Sequence, residues 1–296
     1  MAFVKVVSII IFFTLTLCVF NVNAQSKKLY KGQYHRGKSQ SNISFKGISK
    51  NELITIFMTT GYATYYGDLC DGMDCFTFRP QLGGGAILRT NYLGNRLNIR
   101  TDIRFFRLYS NDIHEGRNLD FRSSNWEFIL SGQIDLFSYE KMMRRRTFLN
   151  PYILLGIGMV SYDPWGSQGN DTWTQLRPLQ TEQVAYGNAA FLYTGGIGFK
   201  FRYSYKWNFM VDGGYRFTTT DYLDDASQNN YPAPSSFSNP QAAWMSNKTG
   251  KTIPTGYRGD PKGFDGYFIF SAGVTYTFTK NHKPKFHGNQ HLLRKH

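Results

Sequence analysis

Hydrophobic and polar residues alternate with a period of two along several stretches of this chain. Between residues 126 and 136, the even-numbered positions carry mostly bulky apolar side chains and the odd-numbered positions mostly polar ones, as in Trp126, Glu127 and Phe128. Such alternation indicates β-strands with one apolar face. Eight segments are predicted as strands: 52–65, 80–90, 96–109, 122–138, 150–162, 190–203, 207–220 and 264–279.

The predicted connections alternate between long and short. The long ones are 66–79, 110–121, 163–189 and 221–263; two others are tight ("NYLGN" and the residues around "YSYK"), and 139–149 is intermediate and basic. Long loops at one end and short turns at the other are typical of outer-membrane barrels. We therefore predict an all-β fold over residues 51–279, an eight-stranded antiparallel transmembrane β-barrel of the outer membrane with both termini in the periplasm.

The rival fold is a water-soluble β-sandwich or lipocalin-like barrel, whose apolar faces would point inward. Here the polar faces carry charges of both signs, whereas the apolar faces are rich in aromatics, which make up 17% of the chain. This division favours a charged lumen with lipid outside. Because eight strands enclose a space that side chains fill, we do not expect a channel function.

The first 24 residues are predicted to be a secretory signal peptide. Lys5 precedes an apolar run, and Val22 and Ala24 occupy the −3 and −1 positions of a cleavage site. Leu17 is too large for the position before a lipidated cysteine, which disfavours lipid attachment at Cys18. The mature chain then begins at Gln25, outside the cytoplasm.

Positive charge is concentrated in two terminal segments. The net formal charge is +14, yet the region between the segments is nearly neutral, because residues 25–50 and 280–296 contain bases and no acids. For a protein outside the cytoplasm, this favours acidic protein surfaces or anionic lipid over nucleic acid, and disordered tails with incidental charge are the alternative. The candidate partner-contacting bases are Lys27, Lys28, Lys31, Arg36, Arg144, Arg145, Arg146, Lys283, Lys285, Arg294 and Lys295.

Cysteine and histidine offer little catalytic chemistry. Cys70 and Cys75 are expected to form a short-range disulfide, with two free thiols as the alternative. Between residues 51 and 279 the sequence holds one histidine, His114, which any Ser–His or Asp–His mechanism would have to use. We interpret His114 as a solvated loop residue and expect neither enzymatic activity nor a cofactor.

A group of acids follows the seventh predicted strand. Counted in steps of two from Phe217, Asp221 continues the lipid-facing row, so the strand should leave the bilayer near Thr219 and place Asp221 at or beyond the outer interface. Asp224 and Asp225 then fit a turn. The alternative is a Ca²⁺ site, although the spacing matches no EF-hand loop.

A second polar stretch, "QLRPLQTEQ", lies in the loop 163–189. Here Arg177 is expected to pair with Glu182, and Pro178 to stiffen the loop. The later segment "YPAPSSFSNPQAAWMSNKTG" is expected to be solvated.

Six motifs carry a family resemblance: "GYATYYGDL", "RNLDFRSSNWEF", "NPYILLGIG", "LRPLQTE", "YRFTTTDYLDDAS" and "RGDPKGFDGYF". They resemble the Bacteroidetes outer-membrane barrel family that includes PorG, a component of the type IX (Por) secretion system that serves protein secretion and gliding motility. The most specific residues are Leu176, Arg177, Pro178, Thr181, Glu182, Asp221, Tyr222, Leu223, Asp224 and Asp225.

The resemblance implies a non-enzymatic barrel that contacts the periplasmic ring formed by PorK and PorN. Two departures point to a paralogue as the alternative: Gln183 stands where the family has glycine, and the last loop and basic tail are long. Such a paralogue would bind an external ligand through its long outer loops, chiefly 221–263.

Overall fold

Eight antiparallel strands pair edge to edge and close into a barrel. The computed structural model describes residues 54–70, 72, 75–112, 117–138, 147–169, 172–250, 257–261 and 263–278. Within them, the barrel strands are β1 (Ile54–Tyr66), β2 (Arg79–Arg89), β3 (Leu97–Asn111), β4 (Asp120–Asp135), β5 (Leu149–Ser161), β8 (Ala189–Arg202), β9 (Trp207–Thr218) and β10 (Gly266–Thr277). Each is joined to its neighbours, and pairing of β3 with β4 closes the ring. The predicted fold is confirmed, with every strand end within three residues of its expected position.

Two further strands were missed. β6 (Pro164–Gly169) and β7 (Thr172–Gln175) form a hairpin inside the connection that was predicted as a loop. β6 continues the sheet beyond β5, since Trp165 pairs with Arg122 at the end of β4. Strands of this length, rich in glycine and polar residues, have too few alternating positions to be recognised from a sequence pattern.

The last long connection contains a short helix, α1 (Pro240–Ser246). The side chain of Asn239 caps it by accepting a hydrogen bond from the Gln241 amide, and Pro240 occupies the first turn. Ala242 and Met245 are buried beneath the helix. The expectation that this segment is solvated was therefore wrong for α1, which packs one face against the protein.

The outward face of the barrel is an apolar belt. Along β4, Trp126, Phe128, Leu130 and Ile134 are exposed, while the residues between them point inward. Aromatic side chains are concentrated towards both ends of the belt, as in membrane barrels whose rings sit at the two interfaces. A soluble sandwich or lipocalin-like barrel would bury this face, so the rival fold is excluded.

The lumen holds charges of both signs in a buried network. Arg100 donates two hydrogen bonds to Asp102, at 3.0 and 2.8 Å, and a third to Asp212 at 3.1 Å. Glu127 accepts from Arg216 at 3.3 Å and from the Tyr267 hydroxyl at 2.6 Å. The basic members are Arg100, Arg104, Lys200 and Arg216, and the acidic members are Asp102, Glu127, Asp135 and Asp212.

Above this network the lumen is filled with apolar side chains. Tyr65 meets Phe121 edge-on with ring centroids 4.8 Å apart, and Phe106 lies 4.9 Å from Tyr267. Ion pairs occupy the lumen near the short turns and aromatic rings occupy it near the long loops, so the interior is filled by side chains. Among the described residues, no helix has the length and hydropathy required to cross a bilayer.

We predict that an arginine at the centre of the belt is far more costly than one at its rim. Leu130→Arg should lower the free energy of unfolding by about 2–4 kcal/mol, because Leu130 faces the middle of the hydrocarbon layer. Leu136, just past the end of β4, is similarly exposed, and Leu136→Arg should cost about 1 kcal/mol or less, since its charge reaches the headgroups. Denaturant unfolding in phospholipid vesicles measures both. Equal losses would contradict this placement of the belt.

Candidate functional site

The four long connections meet over one end of the barrel, and we call their described residues the loop cap. We call the opposite end, where β2 turns into β3, β4 into β5 and β8 into β9, the short-turn end. The cap contains most of the motif residues that carry the family resemblance. Its interior is polar, and many of its charged side chains are buried.

Arg258 is the centre of the cap. Its guanidinium donates to the Glu182 carboxylate, to the Asp225 side chain at 3.3 Å, and to the Thr181 hydroxyl at 3.0 Å. It also donates to the backbone carbonyl oxygens of Asp225 and Ser246. One buried cation therefore joins the loop that contains Glu182 to three separate parts of the last loop.

Glu182 binds two backbone amides in addition to Arg258. Its Oε1 accepts from the amides of Ser227 and Gln228, both at 3.0 Å. These amides have no neighbouring strand to pair with, so the carboxylate accepts the hydrogen bonds that a strand would otherwise accept. Gln183, beside it, adopts φ 59°, a left-handed conformation that favours glycine. A glycine at position 183, which the resemblance led us to expect, would adopt this conformation without strain.

Arg117 clips together the other two long loops. It forms two hydrogen bonds with Asp112, at 2.6 and 2.8 Å, and donates to the backbone oxygens of Asp68 and Arg258. Arg117 is buried, so these donors have no access to water. Together Arg117 and Arg258 tie all four connections into one unit.

The "DYLDD" motif forms a turn whose acids point into the cap. Asp225 has φ 69° and accepts hydrogen bonds from the hydroxyls of Thr181 and Tyr186. Burial and the Asp225 carboxylate raise the pKa of Tyr186 above its ordinary range. The rings of Tyr186 and Tyr222 stack with centroids 4.6 Å apart, which covers the turn.

Two carboxyl groups share one tyrosine hydroxyl. Tyr65 Oη lies 2.7 Å from Asp224 Oδ2 and 2.5 Å from Asp265 Oδ1, yet a hydroxyl has only one proton to donate. Burial, together with the neighbouring carboxylates, raises the pKa of both aspartates well above the usual range. One carboxyl must therefore keep its proton and donate to the tyrosine oxygen. Gly67 makes this approach possible, since a Cβ there would lie 2.1 Å from Tyr65 Oη.

Asp221 lies beyond the end of its strand, as expected. β9 ends at Thr218, and Asp221 turns into the cap, where 7% of its surface is exposed, instead of facing lipid at the interface. The side chain avoids the hydrocarbon because the chain leaves the barrel three residues earlier. Burial raises the pKa of Asp221 to about 8, and burial likewise raises the pKa of Asp68 to about 6.

The expected Arg177–Glu182 pair was wrong. Arg177 lies in a 3-10 turn, Arg177–Leu179, and its Nε is 3.4 Å from Asp163, whereas Glu182 binds Arg258. The short turn places the two side chains in different surroundings. Leu176, just before the turn, is buried.

Cys70 and Cys75 are joined by a disulfide, with Cα atoms 5.5 Å apart, in the first long connection. Within the described part of the chain, no group of three or more histidine, cysteine or carboxylate side chains is arranged to hold a metal ion. His114 and all the candidate partner-contacting bases, from Lys27 to Lys295, lie outside the described residues.

Sequence reasoning missed the two arginines that organise the cap. Arg117 and Arg258 stand inside quoted motifs, "RNLDF" and "RGDPKGF", but nothing local marks them as buried. Asp265 was missed for the same reason. The surplus of acids in the "DYLDD" turn could have predicted these arginines, because buried acids require a buried cation from elsewhere in the chain.

The closed barrel, its apolar belt and its charged lumen define an outer-membrane β-barrel protein. No protein-family model matches the sequence, and no curated protein is similar to it at a significant level.

Among solved structures, the chain is similar to Neisserial surface protein A, at 12% identity over 76% of this chain and 97% of that one, with a TM-score of 0.40. A major outer membrane protein of Thermus thermophilus gives 11% over 76% and 99%, with a TM-score of 0.39. The N-terminal barrel of Pseudomonas aeruginosa OprF gives 10% over 76% and 97%, with a TM-score of 0.31. Similarity this distant says nothing about function.

We predict that the buried Arg258 stabilises the closed cap much more than the half-exposed Arg177 does. Arg258→Gln should lower the free energy of opening the cap by about 3–5 kcal/mol, because it leaves Glu182 and Asp225 buried without their cation. Arg177→Gln is the matched control and should cost about 1 kcal/mol or less, since Arg177 and Asp163 are 35% and 33% exposed. Hydrogen exchange of the Ser227 and Gln228 amides measures opening directly. Equal loss of protection in both variants would contradict the central role of Arg258.

The cap should also lose stability as pH rises. Asp221 has its pKa raised in the folded cap, so the closed form holds a proton that an open form releases at lower pH. The contribution of Asp221 to closure is therefore lost from about pH 4, the ordinary range of an aspartate, up to about pH 8, and the raised pKa values of Asp224 and Asp265 act in the same direction. Exchange protection factors at Ser227, corrected for intrinsic rates, should fall over this window. Asp221→Asn should reduce the slope, and an unchanged slope in that variant would refute the assignment to Asp221.

Proposed function

We propose that this protein is a non-enzymatic structural component of the outer membrane that anchors or contacts the periplasmic ring of a type IX secretion system. The single observation that carries the proposal is the convergence of the family motifs in one place. "LRPLQTE", "DYLDD" and "RGDPKGF" supply Glu182, Asp225 and Arg258, which bind one another in the cap. Because the motif residues bind one another in one buried network, they stabilise the protein, as expected of a structural component.

The short-turn end is the proposed contact surface for the ring. β1 begins and β10 ends there, since Thr55 pairs with Thr277, so the basic segments 25–50 and 280–296 adjoin this end in the chain. By the usual arrangement of outer-membrane barrels, short turns face the periplasm. A cluster of positive charge on that side suits acidic surfaces of PorK- and PorN-like proteins.

The filled lumen favours a structural role for the barrel over a role as a channel for exported proteins. The ion pairs around Arg100 and Glu127 occupy the lower lumen, and Phe106 and Phe121 occupy the upper part. Exported proteins would have to pass beside this barrel, through other components of the machine.

We predict that ring proteins co-purify with the barrel through the basic segments. A tag inserted after Asn229, in an outer loop, allows mild-detergent extraction with both termini intact. Replacing Lys283, Lys285, Arg294 and Lys295 by glutamine should lower recovery of the ring by about tenfold or more at low salt, because attraction between opposite charges is lost.

The control replaces three bases near the loop cap, Arg79, Arg107 and Arg122, by glutamine, which lowers the net charge by nearly as much and leaves the short-turn end unchanged. This variant should retain the ring if contact depends on the terminal segment and not on overall charge. Normal cargo export after deletion of the whole gene, with the ring intact, would refute the scaffold function.

The second candidate function is capture of an external ligand by the outer loops. One observation favours it: large aromatic side chains are exposed there, with Trp244 at 45%, Tyr257 at 71% and Phe264 at 71%. The two ends of the loop tip lie close together, because the Arg258 amide donates to the Asn229 carbonyl at 3.1 Å. The tip includes α1 and the Ser246 carbonyl that binds Arg258, so folding of the shortened chain is verified by its gel migration on heating. Joining Asn229 to Arg258 through a short glycine linker removes the loop tip. Loss of surface binding with secretion intact would favour this function over the scaffold.

A further inference from the structure

A groove of about 780 Å³ lies on the outside of the barrel, where β3, β4 and the β6–β7 hairpin approach the cap. Three arginines and three aromatic residues dominate its lining. They are Arg79, Arg107, Arg122, Tyr109, Trp165 and Trp173. We call it the arginine groove.

Aromatic rings hold two of these arginines in place. The guanidinium of Arg79 lies 4.4 Å from the Tyr109 ring centroid, and that of Arg122 lies 4.3 Å from the Trp173 centroid. A guanidinium stacked on a ring keeps its N–H groups in its own plane, directed past the ring edge. Those groups remain available to a planar or tetrahedral anion in the groove.

The groove has more positive charge than the described residues neutralise. Within the described residues, Arg79, Arg107 and Arg122 form no ion pair and no side-chain hydrogen bond. The one carboxylate in the lining, Asp163, already accepts from Gln175 at 2.7 Å, from the Trp165 indole at 3.1 Å and from Arg177 at 3.4 Å. Three arginines side by side repel one another, so an anion from outside the chain would stabilise them.

Its height on the barrel matches the headgroup layer. Phe105 and Trp126 form a pair of rings 5.2 Å apart at the upper part of the apolar belt. Arg107 lies two residues beyond Phe105, which is roughly 7 Å along the strand, and Arg122 lies four residues beyond Trp126, roughly 14 Å. The arginines therefore begin where the hydrocarbon ends, on the side of the barrel that faces lipid.

We propose that the arginine groove binds the phosphorylated sugar headgroup of a glycolipid in the surrounding leaflet. Arginine forks match phosphate oxygens in two-point hydrogen bonds, and the exposed Trp165 offers a flat apolar face to a sugar ring beside the half-buried Trp173. Lipid is favoured over a soluble ligand because the groove opens beside the belt that contacts lipid. This site is independent of the proposed contact with a periplasmic ring, which lies at the other end of the barrel.

The test uses the full mature chain, folded in detergent and examined by native mass spectrometry with added bisphosphorylated lipid A. We expect one tightly retained lipid A per barrel. The triple variant Arg79→Gln, Arg107→Gln, Arg122→Gln should bind about tenfold more weakly or worse, whereas Arg96→Gln, Arg202→Gln, Lys206→Gln, which removes the same charge at the short-turn end, should change binding less than about twofold. Slower gel migration on heating verifies that each variant is folded.

Three outcomes would overturn the proposal. Equal binding by the groove variant and the control variant would mean that the arginines do not form the site. Equal binding of dephosphorylated and bisphosphorylated lipid A would mean that the groove does not recognise the phosphate groups. Displacement of lipid A by inorganic phosphate at equal concentration, or by phosphatidylglycerol, would assign the groove to phosphate anions in general and not to a glycolipid headgroup.

Discussion

The rest of the structure depends on the neutralisation of buried charge inside a closed barrel. A small membrane barrel must turn its apolar residues to lipid, so its lumen receives the polar ones. Arg100, Arg104 and Glu127 are tolerable there because Arg100 meets Asp212, Arg104 meets the Ser271 hydroxyl, and Glu127 meets Arg216 and the Tyr267 hydroxyl, all from other strands. These pairs connect strands far apart in sequence, which favours one strand register over others. The same network closes the interior to passage.

The loop cap solves the same problem with different means. Long loops carry backbone amides that no strand pairs, and the cap buries some of them beneath acids such as Glu182. An excess of acids then requires Arg117 and Arg258 as buried cations and a retained proton between Asp224 and Asp265. Charge neutrality in the cap is thus reached partly by arginine and partly by protonation, which links its order to pH.

The two ends of the barrel differ in the features that they expose. At the long-loop end, motif residues bind one another, and the features left exposed are the arginine groove and a few aromatic side chains. The short-turn end adjoins two strongly basic segments of the chain. A scaffold that holds lipid at one end and a partner at the other would use both, and neither role requires a catalytic group.

The sequence by itself determined the eight barrel strands and the side of each that meets lipid, because period-two alternation is a local property; it did not show the short β6–β7 hairpin. The tertiary structure alone decided the partners of the charged loop residues. Arg177 binds Asp163 and not Glu182, Asp221 turns inward, and Arg258 meets Glu182 from 76 residues away. Local patterns contain no distances between loops. Which cation neutralises which acid depends on how the closed barrel brings those loops together.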